Sequence, residues 1–274
     1  MEDARPTPPE QRLRVAALLS AAGGFLDAFT WIGHGGVFAN AQTGNVVLLG
    51  LFAAAGEWAE ALRHVPPIVA FVAGVFVAHR LRLDTQWRDG RNAAMLSLVV
   101  EILFLAVVAL LPSRFPDLPI VLGVAFVAAL QSSSFARVEG QAYSSVMTTG
   151  NLRRGAEAVF AAVTPPRDPR APDQARVFGS VIACFCVGAA LGAFATTRLG
   201  NASVVIPIAL LSFALFLCGT KPAGTGQNDD SRASNRDAEV ATPKTGPAGP
   251  PEGPSDDRKT ALILTKSLRF QSFS

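Results

Sequence analysis

Charge and reactive side chains are scarce in this sequence. Only 16% of its 274 residues are Asp, Glu, Lys or Arg, and those cluster between long apolar runs and near the C-terminus. Cys184, Cys186 and Cys218 all lie inside apolar runs. A metal site or disulfide framework needs clustered, accessible thiols with suitable partners. Cys184 and Cys186 point to different faces of a helix, so packing as small, soft apolar residues is the expected role. His34, His64 and His79 fall near the ends of apolar runs or between them, no two at metal-ligand spacing, and read as interfacial residues. No hydrolase elbow, P-loop or dinucleotide fingerprint is present. The expectation is therefore a non-enzyme without metal or cofactor. Nucleic-acid binding is also not expected, because membrane topology accounts for the arginines.

What the chain does have is apolar length. Half of its residues are hydrophobic, and its mean hydropathy is +0.33. A membrane-spanning helix needs about 20 mainly apolar residues, and six runs qualify: Val15–Gly33, about Leu62–Leu83, Ala93–Leu111, Leu118–Ala136, about Val177–Thr197 and Ala202–Gly219. The polar lead, residues 1–14, precedes an apolar run longer than an ordinary signal-peptide core and without a convincing cleavage site, so the first run reads as an uncleaved anchor. From Lys221 to Ser274 the chain is rich in Gly, Pro, Ser and Asp, which predicts a disordered tail. Its last stretch, Thr260–Ser274, mixes Leu, Ile and Phe with Lys266 and Arg269, a composition compatible with touching a membrane surface.

Two further stretches, Gly35–Ala55 and about Gln141–Val163, are too short or too polar to span easily. Each opens with small polar residues, then Thr-Gly-Asn, then a short helical run ending in Phe-Ala-Ala. Thr43-Gly44-Asn45 and Thr149-Gly150-Asn151 stand 106 positions apart. FVAG at Phe71–Gly74 is echoed by FCVG at Phe185–Gly188, at a slightly larger separation. The chain thus reads as two diverged copies of one unit, about 15–111 and about 118–219, with the insertion Pro165–Arg176 in the second.

Loop charge sets the orientation. If neither Thr-Gly-Asn stretch crosses, then Arg12, Arg14, Arg80, Arg82, Arg88, Arg91, Arg153, Arg154, Arg167, Arg170 and Arg176 share one side with both termini. His34, Arg63, His64, Arg114 and Arg198 are left outside. The expected fold is an all-α membrane protein with six transmembrane helices in two inverted three-helix repeats, each carrying a re-entrant or half helix with Thr-Gly-Asn. Both termini are expected on the cytoplasmic side of the plasma (inner) membrane. Inverted repeats with interrupted helices near the midplane are a recurring transporter design.

The candidate site follows from that layout. Thr43 and Thr149 are placed to cap the short helices, Gly44 and Gly150 to permit a tight backbone, and Asn45 and Asn151 to offer donors and acceptors. Asp27 and Glu101 are acids within spans, where an ionisable group is costly and marks a functional hypothesis. Both are candidate proton-coupling groups. Gln131 and Ser133 are candidate polar lining, and Ser133 stands 106 positions after Asp27. The expected partners are the lipid bilayer and a small polar or anionic solute.

The arrangement GGFLDAFTW, GGVFANAQTGN and TTGNLRRG resembles the YoaK-like family of uncharacterised bacterial multi-pass membrane proteins, over about residues 12–220. The matching positions are Asp27, Gly35, Gly36, Phe38, Thr43, Gly44 and Asn45, then Thr149, Gly150, Asn151 and Leu152. The resemblance implies a multi-pass topology in a bacterial membrane and names no substrate. The sequence leads to a secondary transporter or permease for a small polar or anionic solute. The alternative is a non-transporting membrane protein with a regulatory or assembly role.

Overall fold

Long uninterrupted runs of Leu, Val, Ala and Phe form helices here, because in a helix every backbone N–H and C=O is satisfied within the segment. The computed structural model describes residues 7–83, 90–112 and 114–220. The expected tail, the start of the polar lead and Arg88 lie outside them. After a 3-10 turn at Pro9–Gln11 come α1 (Leu13–Gly33), α2 (Gln42–Ala54), α3 (Trp58–Arg63), α4 (Val65–Leu83), α5 (Gly90–Leu110) and α6 (Asp117–Ser134). A two-residue hairpin follows, with β1 (Arg137–Val138) antiparallel to β2 (Gln141–Ala142). Its turn is made by Glu139 and Gly140 at positive φ. Then come α7 (Thr148–Val163), α8 (Ala171–Leu199), a 3-10 turn at Gly200–Val204 and α9 (Val205–Gly219).

Five helical stretches are long and apolar enough to cross a membrane: Leu13–Gly33, Trp58–Leu81, Arg91–Leu110, Asp117–Ser134 and Ala171–Gly219. The last contains α8, the 3-10 turn and α9. The exposed apolar side chains lie mainly on the outer helices, as at Val72 and Phe76 of α4, Leu103 and Val107 of α5, Phe194 of α8 and Phe216 of α9. A surface of this kind is stable against lipid rather than water. The chain is a multi-pass membrane protein.

The most enclosed helices are α1 and α6. α1 packs on α8 and α9, whereas α6 packs on α4 and α5, and α5 also meets α9. Phe25, Phe29, Leu98, Leu105, Ile120, Phe135 and Leu211 fill the shared core. In lipid, such packing depends on close backbone approach rather than on a hydrophobic drive. Gly188 faces the Ala21 carbonyl, and a Cβ on Gly192 would stand 2.5 Å from the Phe25 carbonyl. Both contacts advance together along the two chains, so α1 and α8 run parallel. On the other side, a Cβ on Gly74 would stand 2.5 Å from the Phe126 carbonyl.

Gly74 faces the carbonyl of a phenylalanine on α6 as Gly192 faces one on α1. The string Gly-x-Phe-x-x-x-Arg-Leu occurs at both places, Gly74–Leu81 and Gly192–Leu199. His34 and His64, near helix ends, are both buried against protein, with His34 Nδ1 2.8 Å from Asp117 Oδ1 and its ring edge-on to Phe29. Cys218 is buried and Cys184 half-buried, but Cys186 faces outward.

Candidate functional site

The chain leaves α1 through Gly35 and Gly36, both at positive φ, and doubles back along the helix it has just left. Ala39 N–H donates to Thr30 Oγ1 at 3.2 Å. One turn deeper, Asn40 and Ala41 N–H donate to Asp27 Oδ1 at 2.9 and 3.3 Å. Asn40 Nδ2 reaches the Gly23 carbonyl at 2.9 Å. Asp27, only 5% exposed, thus holds extended backbone in the protein interior by satisfying its amides.

α2 and α7 then begin in the same register. In each, Thr-Gly-Asn occupies the second to fourth helical positions, and the N-caps are Ala41 and Met147 with no side-chain cap. Thr43 and Thr149 therefore do not cap. The asparagine does the anchoring. Asn45 Oδ1 accepts from Phe38 N–H at 3.1 Å and its Nδ2 donates to the Phe38 carbonyl at 2.6 Å. Asn151 grips Ser144 in the same way, at 3.2 and 2.6 Å. An amide suits this role because it both accepts from the N–H and donates to the C=O of one residue, which a hydroxyl does less well.

The two glycines serve side chains rather than a tight backbone, since neither has positive φ. A Cβ on Gly44 would stand 2.7 Å from the Phe38 ring, which stacks on Trp31 with centroids 4.6 Å apart. A Cβ on Gly150 would lie 3.6 Å from the Arg154 guanidinium, folded back over the first turn of α7.

Glu101 and Gln131 form a separate buried chain. Gln131 Nε2 donates to Glu101 Oε2 at 2.8 Å, and Ser145 Oγ donates to Gln131 Oε1 at 2.9 Å. The Ser145 carbonyl in turn lies where a Cβ on Gly23 would be 2.6 Å away. Gln131 thus tethers the loop at Ser145, much as Thr30 tethers the loop at Ala39.

A cavity of about 800 Å³ brings several of these groups together. Asp27, Thr43, Thr149, Gly150 and Asn151 border it, and so do Trp31, Phe38, Tyr143 and Arg154. Gly44, Asn45, Glu101, Gln131 and Ser133 do not. Arg154 is the addition that sequence reasoning missed, because it counts among the arginines that set topology. The available signal was its position four residues after Gly150, on the same helix face. Among the described residues no group of His, Cys, Asp and Glu is arranged to hold a metal ion.

Residues 15–217 match the family described as "Protein of unknown function (DUF1275)". The chain belongs to that family. No curated protein matches the chain, and no solved structure does. The DUF1275 match runs from the first turn of α1 to nearly the end of α9, so the residues that border the cavity all lie within the matched span.

Proposed function

We propose that this protein is a secondary transporter, or permease, for a small polar or anionic solute. The observation that carries the reading is the single cavity bordered by Asp27, Thr43 and Thr149–Asn151. Segments far apart in sequence converge there on an acid that is otherwise buried. Asp27 is the proposed proton-coupling group at the cavity. Glu101 is a second one, relayed through Gln131 to the Ser145 loop.

Six spans in two inverted repeats fit this role, and the packing supports them. The 49-residue stretch Ala171–Gly219 would measure roughly 74 Å as one helix, against a hydrocarbon core of about 30 Å. Gly200, with φ of 55°, lets it fold into two crossings. Parallel α1 and α8 require an even number of reversals between them. α4, α5 and α6 crossing, with α2 and α7 both re-entrant, meets that requirement, and a crossing by only one short helix would break it. The matched clips at Asn45 and Asn151 favour a common ancestry of the halves. The loop arginines favour both termini on the cytoplasmic side, and the YoaK-like motifs imply a bacterial inner membrane.

A non-transporting assembly or regulatory role is the second reading. It draws on Glu101, Gln131, Ser145, Asn45 and Asn151, all of which spend their side chains on protein partners. Solute uptake into proteoliposomes separates the two, with Asp27→Asn as control. Proton-dependent uptake of one solute class, lost in the variant, is expected. No uptake from a broad panel by a folded protein would remove the transport reading. Thr43→Cys and Thr149→Cys, made without the three native cysteines, should react with aqueous thiol reagents, because both positions border the cavity.

A further inference from the structure

Arg154, exposed on α7, holds its positive charge over the first turn of that helix, where an anion would be favoured. Helix N-termini carry partial positive charge, so a cation there is unfavourable. Yet the guanidinium folds back onto Gly150, in the first turn of the 16-residue helix α7. Neighbouring Arg153 pairs with Glu157 at 2.8 Å, whereas Arg154 has no hydrogen bond or ion pair to any described residue. The N–H groups of Thr148, Thr149 and Gly150 likewise find no acceptor among the described residues. Cation and open amides border the cavity together.

The other walls restrict what fills it. Arg154 is the only Lys, Arg or His on the lining, and Asp27 is the only acid. Asp27 is buried, its Oδ1 held by two amides, while Oδ2 takes no hydrogen bond from the described residues. Most of the remaining wall is apolar, including the stacked Trp31 and Phe38 rings.

The geometry points to a small monocarboxylate with an apolar, planar body as the solute. Its carboxylate would take the guanidinium as a two-point hydrogen-bond partner and the α7 amides as further donors. Its body would lie against Trp31 and Phe38. A phosphate or dicarboxylate would bring more negative charge than one arginine offsets. An amine would meet Arg154 as a like charge, and a sugar would leave its hydroxyls facing apolar wall. One proton on Asp27 beside one carboxylate on Arg154 leaves the loaded cavity with the same net charge as the empty one, so the proton–carboxylate pair moves without net charge. This deepens the transport reading and rests on it.

The test is titration of the purified full-length protein in detergent with benzoate, benzamide, benzylamine and inorganic phosphate, read by calorimetry and by thermal midpoint. Benzoate should bind and raise the midpoint, and neutral benzamide should not. Arg154→Gln should weaken benzoate at least tenfold, and Arg154→Lys should do so less. Arg154 is exposed, so both variants should keep the wild-type elution profile and unliganded midpoint. Unchanged benzoate affinity in Arg154→Gln overturns the assignment, as does binding of phosphate or benzylamine in place of benzoate. Arg154-dependent benzoate binding without proteoliposome uptake upholds the ligand class and removes the transport reading. Uptake of another solute, with no benzoate binding, does the reverse.

Discussion

Asn45 and Asn151 each fasten the N–H and C=O of one residue seven positions upstream. Replacing either by Ala removes two hydrogen bonds and orphans a backbone N–H and C=O in a setting poor in water. Interhelical bonds in membranes average well under a kilocalorie, but stranded backbone groups cost about 1–3 kcal/mol. Orphaned groups should dominate, so Asn45→Ala and Asn151→Ala are each expected to lose about 1–3 kcal/mol in denaturant unfolding from detergent. Asn45 also donates through Nδ2 to Gln42 Oε1 and lies against His64, so it should be the costlier loss. Equal stability to wild type would mean the clips are incidental. The Thr-Gly-Asn tripeptide was visible in the sequence, but the division of labour within it was not. Capping propensity favours Thr, and only the folded loop shows that the group needing a partner lies seven residues back.

Two helix pairs depend on absent side chains. Gly188 and Gly192 bring α8 against the α1 backbone, and Gly74 brings α4 against α6. Gly192→Val and Gly74→Val should each force a helix apart and lower the thermal midpoint and folded yield sharply. Gly179, with open space around its Cβ position, is the internal control. Gly179→Ala should be neutral, or stabilising by up to about 1 kcal/mol from helix propensity. If Gly192→Val matched Gly179→Ala in midpoint, the close α1–α8 contact would be wrong. Helices this apolar were plain from composition. Which glycines meet a neighbouring backbone was not: Gly179 lies in the same helix as Gly188 and Gly192, yet only the latter two face a carbonyl.

At the scale of the whole molecule, parallel α1 and α8 and the loop arginines make one topology. Single cysteines at Arg12 and Arg170, introduced without Cys184, Cys186 and Cys218, should be labelled by an impermeant reagent only from the cytoplasmic side. A cysteine at Glu57, on the turn between α2 and α3, should be labelled only from outside. Labelling of Glu57→Cys from the same side as Arg12→Cys would mean that α2 crosses or α1 does not, and the two-repeat layout would fall. Cavity access is a separate matter of whole-molecule shape, because Asp27, Thr43 and Arg154 come from three helices whose distances in sequence say nothing of their distances in space.

Composition and hydropathy alone determined that this chain is a helical membrane protein, since backbone desolvation leaves long apolar segments no other stable form in lipid. Repeated Thr-Gly-Asn and a buried acid at Asp27 were also legible, because polar residues stand out against an apolar background. Tertiary structure decided which polar groups face a cavity and which face each other. Glu101 and Asp27 look alike in sequence, but one is spent on Gln131 and the other borders open space. Arg154 looked like one more loop arginine until the fold set it over the first turn of α7, with no ion pair among the described residues. Those distinctions depend on which neighbours compete for each hydrogen bond, and neighbours are set by packing across the whole chain rather than by the residues alongside.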